Sequence, residues 1–450
     1  MLMTQDLSVE ELLRKAREPA EKAPFMHSFY KGKIQVLPKC AIRDLHDFDI
    51  WYTPGVAEPC KLIKENPEDV FEYTNKGNLI AVASDGTRVL GLGDIGALAG
   101  LPVMEGKALL FKHLGGVDAV PLMIDTKDPD VFIQIIKWVA PTFGGINLED
   151  IASPKCFYIL DKLRAELDIP VWHDDQQGTA AITLAGVLNG LKLVGKKLDE
   201  VLFSIIGIGA ANICMIRTLI KAGVPPRNII AVDSKGILNQ SREDLSNLKE
   251  NNPPKYEIAL KVNNEREGGI PEAIKDTDVC IAASKPGPGT IKKEWLTKMN
   301  DDAILFAEAN PIPEIWPWEA KEAGVRIIGT GRSDFPNQVN NSLGFPGIFR
   351  GTLDVRAKTI TDEMHIAAAY AIASVAEEKG LREDYIVPTM EDWEVFPTEA
   401  TAVALKAIEQ GVARRKLSRQ ELYEMAEEKI RNARESTQIL MKQGLIKQPR

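Results

Sequence analysis

Residues 201–223, VLFSIIGIGAANICMIRTLIKAG, contain the pattern that decides the fold. The apolar run at residues 201–206 predicts a buried strand, and the residues after the glycines predict a helix that ends at Gly223. Gly207 and Gly209 permit a tight turn and a close approach of the backbone to a pyrophosphate, whose charge a helix N-terminus stabilises. Asn212 occupies the third glycine position, which weakens the motif on its own. The segment predicts a dinucleotide site, with a purely structural turn as the alternative.

Four further β-rich runs follow along the chain, at residues 229–233, 279–284, 304–309 and 325–329. Each run is apolar almost throughout, which is typical of strands covered by helices on both faces. Helical patterns separate the runs, so the strands are expected to be parallel. Ligands of such sheets bind outside the carboxyl ends of the strands. The sequence therefore predicts a Rossmann-type doubly wound parallel sheet with one shared ligand edge.

The pattern of residue types changes along the chain. Before about residue 170, short apolar runs mix with many Gly and Pro turns, and after about residue 352 the pattern becomes helical and ends in a charged tail. We expect an α/β protein with an N-terminal α/β substrate domain, residues 1–170. Residues 171–450 are expected to form the Rossmann domain with C-terminal helices. The length of 450 residues suits such a division.

An acidic residue lies where the second predicted strand of the Rossmann domain ends. Asp233 follows Gly207 by 26 residues, a position from which a carboxylate accepts hydrogen bonds from the adenosine ribose. This placement favours NAD as cofactor. Ser234 and Lys235 come next and would neutralise a 2′-phosphate, so NADP stays open. The alternative interpretation of Asp233 is an ordinary turn residue.

The composition excludes several classes of protein. The formal net charge of −9 argues against a broad nucleic-acid surface, and 44% hydrophobic with 26% charged residues is typical of a folded globular chain. The five cysteines form no CxxC pair, so neither a disulfide framework nor a zinc site is predicted. Uncharged stretches are too short for a membrane span, and residues 1–22 are charged and helix-prone rather than signal-like. We therefore expect a cytoplasmic protein without nucleic-acid or membrane partners.

Two acidic clusters precede the glycine loop. Glu149 and Asp150 form one, and His173, Asp174 and Asp175 form the other. Carboxylate oxygens without cysteine suit Mg²⁺ or Mn²⁺ rather than Zn²⁺. The alternative is a helix N-terminal acid pair and a solvated turn. The histidine is interpreted as a structural neighbour of the carboxylates.

Three further side chains are candidates for chemistry. Lys107 leads into an apolar run, where partial burial is expected to lower its pKa and make it a usable general base, although an ordinary snorkelling lysine is the alternative. Tyr52 precedes a Thr-Pro-Gly turn that would hold its phenol toward a cleft, unless it is a buried structural tyrosine. Arg88 borders a Gly-rich segment and can clamp a carboxylate, or is a surface arginine.

Several long strings resemble the malic enzyme family, in its short prokaryotic form, from about residue 33 to about residue 411. These strings are WYTPGVAEPC (51–60), DGTRVLGLGDIGALAGLPVMEGKALLFK (85–112), NLEDIASPKCF (147–157), HDDQQGTA (173–180), GIGAAN (207–212), FAEANP (306–311), NNSLGFPGIFRGTLDVRA (340–357) and TDEMHIAAA (361–369). The resemblance implies metal-dependent oxidative decarboxylation of L-malate to pyruvate and CO₂ with reduction of NAD(P)⁺.

The same resemblance implies a role for each matching residue. Lys107 would be the general base and Tyr52 the general acid, and the metal ligands would be Glu149, Asp150 and Asp175. The substrate would be held by Arg88, Asn310 and Asn341. The cofactor would be bound by Gly207, Gly209, Ala210, Ala211, Asn212, Asp233, Ser284 and Asn310. Asp174 would orient Lys107 or a metal-bound water. A homodimer or higher homo-oligomer is implied, with contacts through the N-terminal segment and with Tyr52 or Lys107 completing the neighbour's site.

Three other functions compete with this interpretation. A malolactic enzyme keeps NAD and metal but yields L-lactate, because pyruvate is reduced before it leaves. A non-catalytic NAD-binding regulator would retain the fold without the chemistry. An amino-acid dehydrogenase shares the two-domain architecture but needs no divalent metal.

Overall fold

The computed structural model describes residues 9–263 and 265–449. It contains two parallel sheets, each flanked by helices, which confirms the predicted α/β class with a Rossmann-type domain. The first part of the helix-prone segment, residues 1–8, lies outside the described residues. No helix in residues 9–263 or 265–449 has the length and apolarity needed to cross a bilayer.

The first sheet has four parallel strands in the order β2-β1-β3-β4. Its strands are β1 (Leu79–Ser84), β2 (Asp118–Met123), β3 (Gly145–Leu148) and β4 (Val171–His173). Because β4 pairs with β3, this sheet continues to His173. The carboxyl ends of β3 and β4 are adjacent, and the two acidic clusters follow them directly.

The second sheet has the order β10-β9-β8-β5-β6-β7. All its pairs are parallel except β7 with β6. The strands are β5 (Phe203–Ile206), β6 (Ile229–Asp233), β7 (Gly236–Ile237), β8 (Val279–Ala282), β9 (Ile304–Ala307) and β10 (Ile327–Thr330). All five predicted β-rich runs are confirmed as strands. β6 has the predicted bounds, β5, β8 and β9 are two residues shorter at one end, and β10 begins two residues later and ends one residue later than predicted. The short antiparallel β7 was not expected.

The helices before the glycine loop are α1 (Val9–Tyr30), α2 (Asp47–Trp51), α3 (Ala57–Glu65), α4 (Val70–Tyr73), α5 (Gly96–Gly115), α6 (Pro129–Val139), α7 (Lys155–Glu166) and α8 (Asp174–Val194). Among them, α5, α7 and α8 contact strands of the first sheet, and α8 also contacts the second. Short 3₁₀ turns lie at Pro67–Asp69, Asn75–Gly77 and Ala140–Thr142. The start of α6 shows the local logic, because Asp128 accepts two backbone N–H bonds and Pro129 needs none.

The remaining helices follow the glycine loop. They are α9 (Ala210–Lys221), α10 (Leu245–Asn251), α11 (Pro253–Lys261), α12 (Ile270–Ile274), α13 (Lys293–Leu296), α14 (Pro317–Glu322), α15 (Phe345–Asp354), α16 (Asp362–Glu378), α17 (Val395–Glu409) and α18 (Arg419–Lys442), with 3₁₀ turns at Pro226–Asn228 and Asn341–Leu343. The predicted charged helical tail is confirmed by α18, which begins with a Ser418/Glu421 capping box.

The C-terminal helices return to the first sheet. Helices α15 and α18 pack against α5, and Phe345 and Phe349 of α15 lie in one buried cluster with Phe111 of α5 and Trp172 of β4. Helix α8 runs between the two sheets and packs against both α9 and α16. The edge of the first sheet and the glycine loop of the second therefore belong to one packed body.

Candidate active site

Two neighbouring strand ends bring the acidic clusters together. Glu149 and Asp150 follow β3, while Asp174 and Asp175 follow β4 at the first turn of α8. The backbone N–H of Asp150 donates to Oδ2 of Asp175 at 2.8 Å. Because neighbouring parallel strands end at the same edge, their following residues meet there. The fold therefore brings the two acidic clusters of the sequence together at one edge of the first sheet.

Lys107 reaches this edge from the middle of α5. Its Nζ lies 2.7 Å from Oδ2 of Asp174 and 3.0 Å from Oε1 of Glu149, and 4.3 Å from the ring centre of Phe345. The side chain is only 10% exposed. A buried ammonium with two carboxylate partners and an aromatic face is held in one position. The alternative of a snorkelling surface lysine is therefore wrong.

The expected lowering of the Lys107 pKa is also wrong. Burial alone would lower it, but the negative charges of Asp174 and Glu149 outweigh burial and raise the pKa above its ordinary value. The pKa values of neighbouring carboxylates are raised as well, because burial disfavours their charged form. Burial, reinforced by the charge of Asp175, raises the pKa of Asp150 to about 8, and burial raises that of Glu149 well above its ordinary value. With all four carboxylates ionised, the cluster would carry more negative charge than one ammonium can balance.

This excess of negative charge is relevant to whether the site can bind a metal ion. No three His, Cys, Asp or Glu side chains in the described part of the chain stand together as a ready-made metal cluster. Lys107 and Asn147 hold the Glu149 carboxylate instead, and Asp175 accepts the Asp150 N–H. However, the donors are all oxygens, and the buried Oδ2 of Asp150 has no hydrogen-bond partner. The residues present therefore fit a hard divalent cation.

His173 lies beside this cluster without belonging to it. Its ring is fully buried, and Nδ1 is 3.7 Å from Oδ2 of Asp175. Burial lowers its pKa, so the ring is neutral at neutral pH. This placement agrees with the interpretation of His173 as a structural neighbour.

The loop that carries Arg88 packs on the same edge. The Arg88 N–H donates to the carbonyl oxygen of Asp150 at 3.0 Å, and its exposed guanidinium donates to the Leu90 carbonyl at 3.3 Å. A Cβ atom on Gly91 of this loop would lie 3.4 Å from the carbonyl oxygen of Asn310. Arg88 and Asn310 therefore come from loops that touch each other, with the guanidinium free to bind a ligand.

Asn341 approaches the site from the C-terminal part of the chain. It begins a 3₁₀ turn just before α15. Its Cβ lies 3.2 Å from the point where a Cβ on Gly178 would stand, and Oδ1 of Asp174 lies 1.9 Å from that point. Any side chain at position 178 would displace Asp174, so this glycine makes room for the contact with Lys107.

The glycine loop forms as the motif predicts. Gly207 has a φ of +87°, and a Cβ there would lie 2.6 Å from the Cβ of Ser284 at the end of β8. Gly209 precedes α9, whose first residues are Ala210 and Ala211, and a Cβ on Gly209 would meet open space. The loop therefore leaves the N-terminus of α9 accessible to a ligand.

Asn212 has a clear role in this loop. Its Nδ2 donates to the carbonyl oxygens of Ile206 at 3.0 Å and Gly207 at 2.8 Å. These bonds hold the turn between β5 and α9 from inside. The departure from glycine at this position therefore stabilises the loop rather than weakening it.

Asp233 ends β6 as predicted, but its carboxylate is already engaged. Oδ1 accepts from the N–H of Lys235 and from Nη1 of Arg242, both at 2.9 Å, and Oδ2 accepts from Nζ of Lys255 at 3.1 Å. The cationic partners Arg242 and Lys255 were not identified from the sequence. They come from the loop after β7 and from α11, and only the fold brings them to Asp233.

Tyr52 is not joined to the other candidates. It follows α2 and is 71% exposed, so the alternative of a buried structural tyrosine is wrong. Within residues 9–263 and 265–449, no hydrogen bond connects its hydroxyl to Lys107 or the carboxylates. Large apolar side chains nearby in the sequence are also exposed, among them Val36, Leu45, Ile50 and Trp51. Residues 36–52 therefore present several uncovered apolar side chains, Tyr52 among them.

Two buried glutamates at the ligand edge were missed by sequence reasoning. Glu314 accepts from the N–H and Oγ of Ser284 and from the N–H of Ala309, so it joins the ends of β8 and β9. Glu308 lies 2.6 Å from the Oγ1 of Thr183. The sequence signal for both is a carboxylate within or just after an apolar run, in FAEANPIPE.

Comparison with known proteins gives matches over most of the chain. Residues 31–164 match the profile described as "Malic enzyme, N-terminal domain". Residues 176–315 and 324–410 match "Malic enzyme, NAD binding domain". The matched ranges include the candidate residues of the site except Asp174 and Asp175, which lie between the two ranges with His173.

Individual relatives agree with the profiles. The chain is 50% identical over 395 residues to the bifunctional malic/malolactic enzyme of Bacillus subtilis, covering 88% of this chain and 94% of that one. It is 50% identical over 385 residues to the NAD-dependent malic enzyme of Geobacillus stearothermophilus, covering 85% and 78%. NADP-dependent malic enzymes match at 41–45% identity. The crystal structure of Entamoeba histolytica malic enzyme has a TM-score of 0.96 and 48% identity, covering 100% of this chain and 94% of that one.

Proposed function

The chain belongs to the malic enzyme family, and from this premise we propose that it converts L-malate to pyruvate and CO₂ while reducing a nicotinamide dinucleotide. The observation that carries the proposal is the position of Lys107. Its Nζ lies within 3.0 Å of Asp174 and Glu149, at the strand edge where four carboxylates meet. An amine fixed at this edge beside oxygen ligands is placed to take a proton from a hydroxy acid when it is in its neutral form.

Lys107 acts as the general base in this proposal. In its neutral amine form, which the positive charge of a cation held by the neighbouring carboxylates would favour, it takes the proton of the malate C2 hydroxyl, while Asp174 holds its Nζ in place through the 2.7 Å bond. Tyr52 acts as the general acid and donates its phenolic proton to C3 of enolpyruvate. The two proton transfers occur at different atoms of the substrate, which explains why the reaction needs two groups from different segments.

Arg88, Asn310 and Asn341 bind the substrate in this proposal. The guanidinium of Arg88 can form paired hydrogen bonds with a malate carboxylate, and the two amides fix its orientation. These residues come from both proposed domains, residues 1–170 and 171–450. The substrate would therefore bind between them.

Glu149, Asp150 and Asp175 would hold Mg²⁺ or Mn²⁺. The cation, when bound, stabilises the enolate charge that develops as CO₂ departs. The dinucleotide would be held by the glycine loop, Ser284 and Asp233, and would supply the hydride acceptor for C2. NAD⁺ is the preferred cofactor in this proposal, because Asp233 ends β6 where a carboxylate binds ribose hydroxyls. The NAD-dependent relative at 50% identity supports this choice.

We also propose a homodimer or a higher homo-oligomer formed through the N-terminal segment. The exposed apolar side chains in residues 36–52 support this assembly, since large uncovered apolar patches on soluble proteins mark interaction sites. Because Tyr52 does not contact Lys107 within the chain, it would complete the site of the neighbouring subunit. The odd, scattered cysteines support a reducing, cytoplasmic location.

A second candidate function is malolactic activity. The observation that favours it is the 50% identity to a bifunctional malic/malolactic enzyme. Such an enzyme keeps pyruvate bound and reduces it, so the dinucleotide is regenerated and L-lactate is released.

Incubation of the purified protein with L-malate, Mn²⁺ and either NAD⁺ or NADP⁺ tests the proposal. Absorbance follows nicotinamide reduction, and chromatography identifies the three-carbon product. Pyruvate equal to the reduced cofactor, abolished by chelator and restored by Mn²⁺, supports malic enzyme activity. Lactate without net reduction supports the second candidate, and binding without turnover supports a regulator.

A further inference from the structure

The surroundings of Asp233 point to a feature of cofactor choice that a lone acidic residue would not have. Arg242 donates to Asp233 through Nη1 at 2.9 Å. It also donates two hydrogen bonds to Asp244, from Nε at 2.9 Å and from Nη2 at 2.8 Å. Lys255 donates to the other oxygen of Asp233 at 3.1 Å. The Asp233 side chain is 8% exposed, and those of Arg242 and Lys255 are 10% and 17% exposed. These are fixed, mostly buried ion pairs rather than loose surface contacts.

The carboxylate of Asp233 has little acceptor capacity left. Two oxygens offer about four acceptor positions, and the N–H of Lys235, Arg242 and Lys255 occupy three. A ribose with free 2′- and 3′-hydroxyls offers two donors. Asp233 can therefore accept one of them without displacing a cation, and its preference for such a ribose is weaker than that of an unpaired aspartate.

The net charge of the cluster formed by Asp233, Asp244, Arg242 and Lys255 also affects the choice of cofactor. Lys235 also belongs to it, because its exposed Nζ lies 3.0 Å from Oδ2 of Asp244. Three cations then face two carboxylates, so the cluster is net positive. Burial would raise the pKa of Asp233, but the Lys235 N–H and the charges of Lys255 and Arg242 hold it below its ordinary value. Asp233 is therefore ionised and neutralised by its neighbours.

An unpaired aspartate at this position repels a 2′-phosphate by like charge. In this chain the cations cancel that repulsion, and they retain unused N–H groups. The ammonium groups of Lys235 and Lys255 each have three N–H donors, of which the bonds above use one. Such groups suit a phosphate at the edge of the adenosine ribose.

We propose that Arg242 and Lys255 are specificity-determining residues that cancel the exclusion of NADP⁺ by Asp233, so that the same subsite accepts a ribose with a 2′-hydroxyl or a 2′-phosphate. This inference rests on the proposed binding of a nicotinamide dinucleotide. Beyond the choice of NAD⁺, the affinities for NAD⁺ and NADP⁺ are then expected to lie close together, and Arg242 and Lys255 are the cause.

Direct binding by isothermal titration calorimetry tests the inference without requiring turnover. Wild-type protein is titrated with NAD⁺ and with NADP⁺, and the two dissociation constants are expected to differ by less than about tenfold. Lys255→Gln keeps a polar side chain with N–H donors but removes its charge, and Arg242→Ala removes the guanidinium. Each is expected to weaken NADP⁺ binding by about tenfold or more while changing NAD⁺ binding by less than about threefold. Asp233→Asn is expected to shift the ratio toward NADP⁺.

Lys321→Ala, an exposed lysine on α14, is the matched control for the loss of one positive charge. Circular dichroism reports whether each variant is folded, and Lys255→Gln remains informative if Arg242→Ala is not. Equal weakening of both cofactors in the variants would overturn the inference, as would a wild-type protein that binds NAD⁺ but excludes NADP⁺. A wild-type protein that binds neither dinucleotide would overturn the proposed function itself.

Discussion

The Nζ of Lys107 donates to Oδ2 of Asp174 at 2.7 Å, and this bond joins the middle of α5 to the first residue of α8. Helix α5 flanks the first sheet, and α8 leads from that sheet to the glycine loop. This buried ion pair thus connects Lys107, the residue proposed to take the substrate proton, with α8, the helix that leads to the glycine loop. Trp172 donates to the other oxygen of Asp174 at 3.2 Å, which fixes the carboxylate further.

Removal of Asp174 is expected to cost stability as well as activity. In Asp174→Ala the buried Lys107 loses its nearer partner, so the free energy of unfolding should fall by about 3 kcal/mol. Urea denaturation measures this change. The control is Glu58→Ala, which breaks an exposed pair with Lys61 and should cost less than about 1 kcal/mol. Equal midpoints for the two variants would contradict a structural role for the bond.

Glu308 is expected to fold in its neutral form. The Oγ1 of Thr183 lies 2.8 Å from the carbonyl oxygen of Thr179 and 2.6 Å from Oε1 of Glu308. A hydroxyl has one proton, and the carbonyl can only accept, so both bonds form only if Glu308 donates the second one. Burial agrees with this geometry, because it raises the pKa of Glu308 to about 8.

The sign of the resulting pH dependence follows from this shift. The folded pKa lies above the unfolded value of about 4.3, so the contribution of Glu308 is fully present below that pH. It is lost progressively as the pH rises toward about 8, where the folded state also ionises. Glu308→Gln, which keeps a donor toward Thr183, should therefore gain stability relative to the wild type as the pH rises.

Urea denaturation at pH 5, 7 and 8.5 measures this gain. Glu435→Gln, which changes an exposed glutamate on α18, is the control and should follow the wild-type curve at every pH. Parallel curves for Glu308→Gln and the wild type would contradict a neutral Glu308.

Asn212→Gly would make the loop match the common three-glycine motif, yet it should weaken cofactor binding. The substitution removes the bonds from Nδ2 to the carbonyl oxygens of Ile206 and Gly207. It also adds backbone freedom at the third residue of α9. We expect a loss of about 1–3 kcal/mol in the free energy of unfolding and a higher Kd for NAD⁺ by calorimetry. Tighter NAD⁺ binding in the variant would contradict this role for Asn212.

Mixing of two inactive variants tests whether subunits share the site. Tyr52→Phe and Lys107→Ala each lack one proposed proton-transfer group. If a partner's Tyr52 completes the site of Lys107, random exchange in a symmetric dimer restores one intact site in each mixed dimer, or about a quarter of wild-type activity. Two affinity tags on the two variants verify that exchange has occurred. No recovery after verified exchange would contradict a shared site.

The sequence predicts the second sheet well because its strands are buried on both faces. Apolar runs such as residues 229–233 are then unambiguous, and Asp233 is correctly placed at a strand end. The meeting of Glu149 with Asp174 follows only from the structure, because β3 and β4 are short and were not predicted from the sequence. Likewise, β7 has only two residues and leaves almost no periodic signal.

Pairing between distant side chains is what the sequence did not provide. The raised pKa of Lys107 depends on Asp174, 67 residues away, and the neutralisation of Asp233 depends on Lys255, 22 residues away. Neither pairing follows a local period, because the fold itself makes the contact. The exposure of Tyr52 was missed for a related reason, since a candidate surface between subunits looks like core in a single sequence.

The most direct test of the central claim is the steady-state rate of L-malate oxidation by Lys107→Ala beside the wild type and Lys112→Ala. Lys112 lies on the same helix but pairs with Asp118 at 2.7 Å, away from the carboxylate cluster. The wild type and Lys112→Ala should form pyruvate at similar rates with Mn²⁺ and NAD⁺. Lys107→Ala should fold but lose about 10²–10⁴-fold in kcat. A rate equal to that of the wild type in Lys107→Ala would contradict the assignment of this site as the place where L-malate is oxidised.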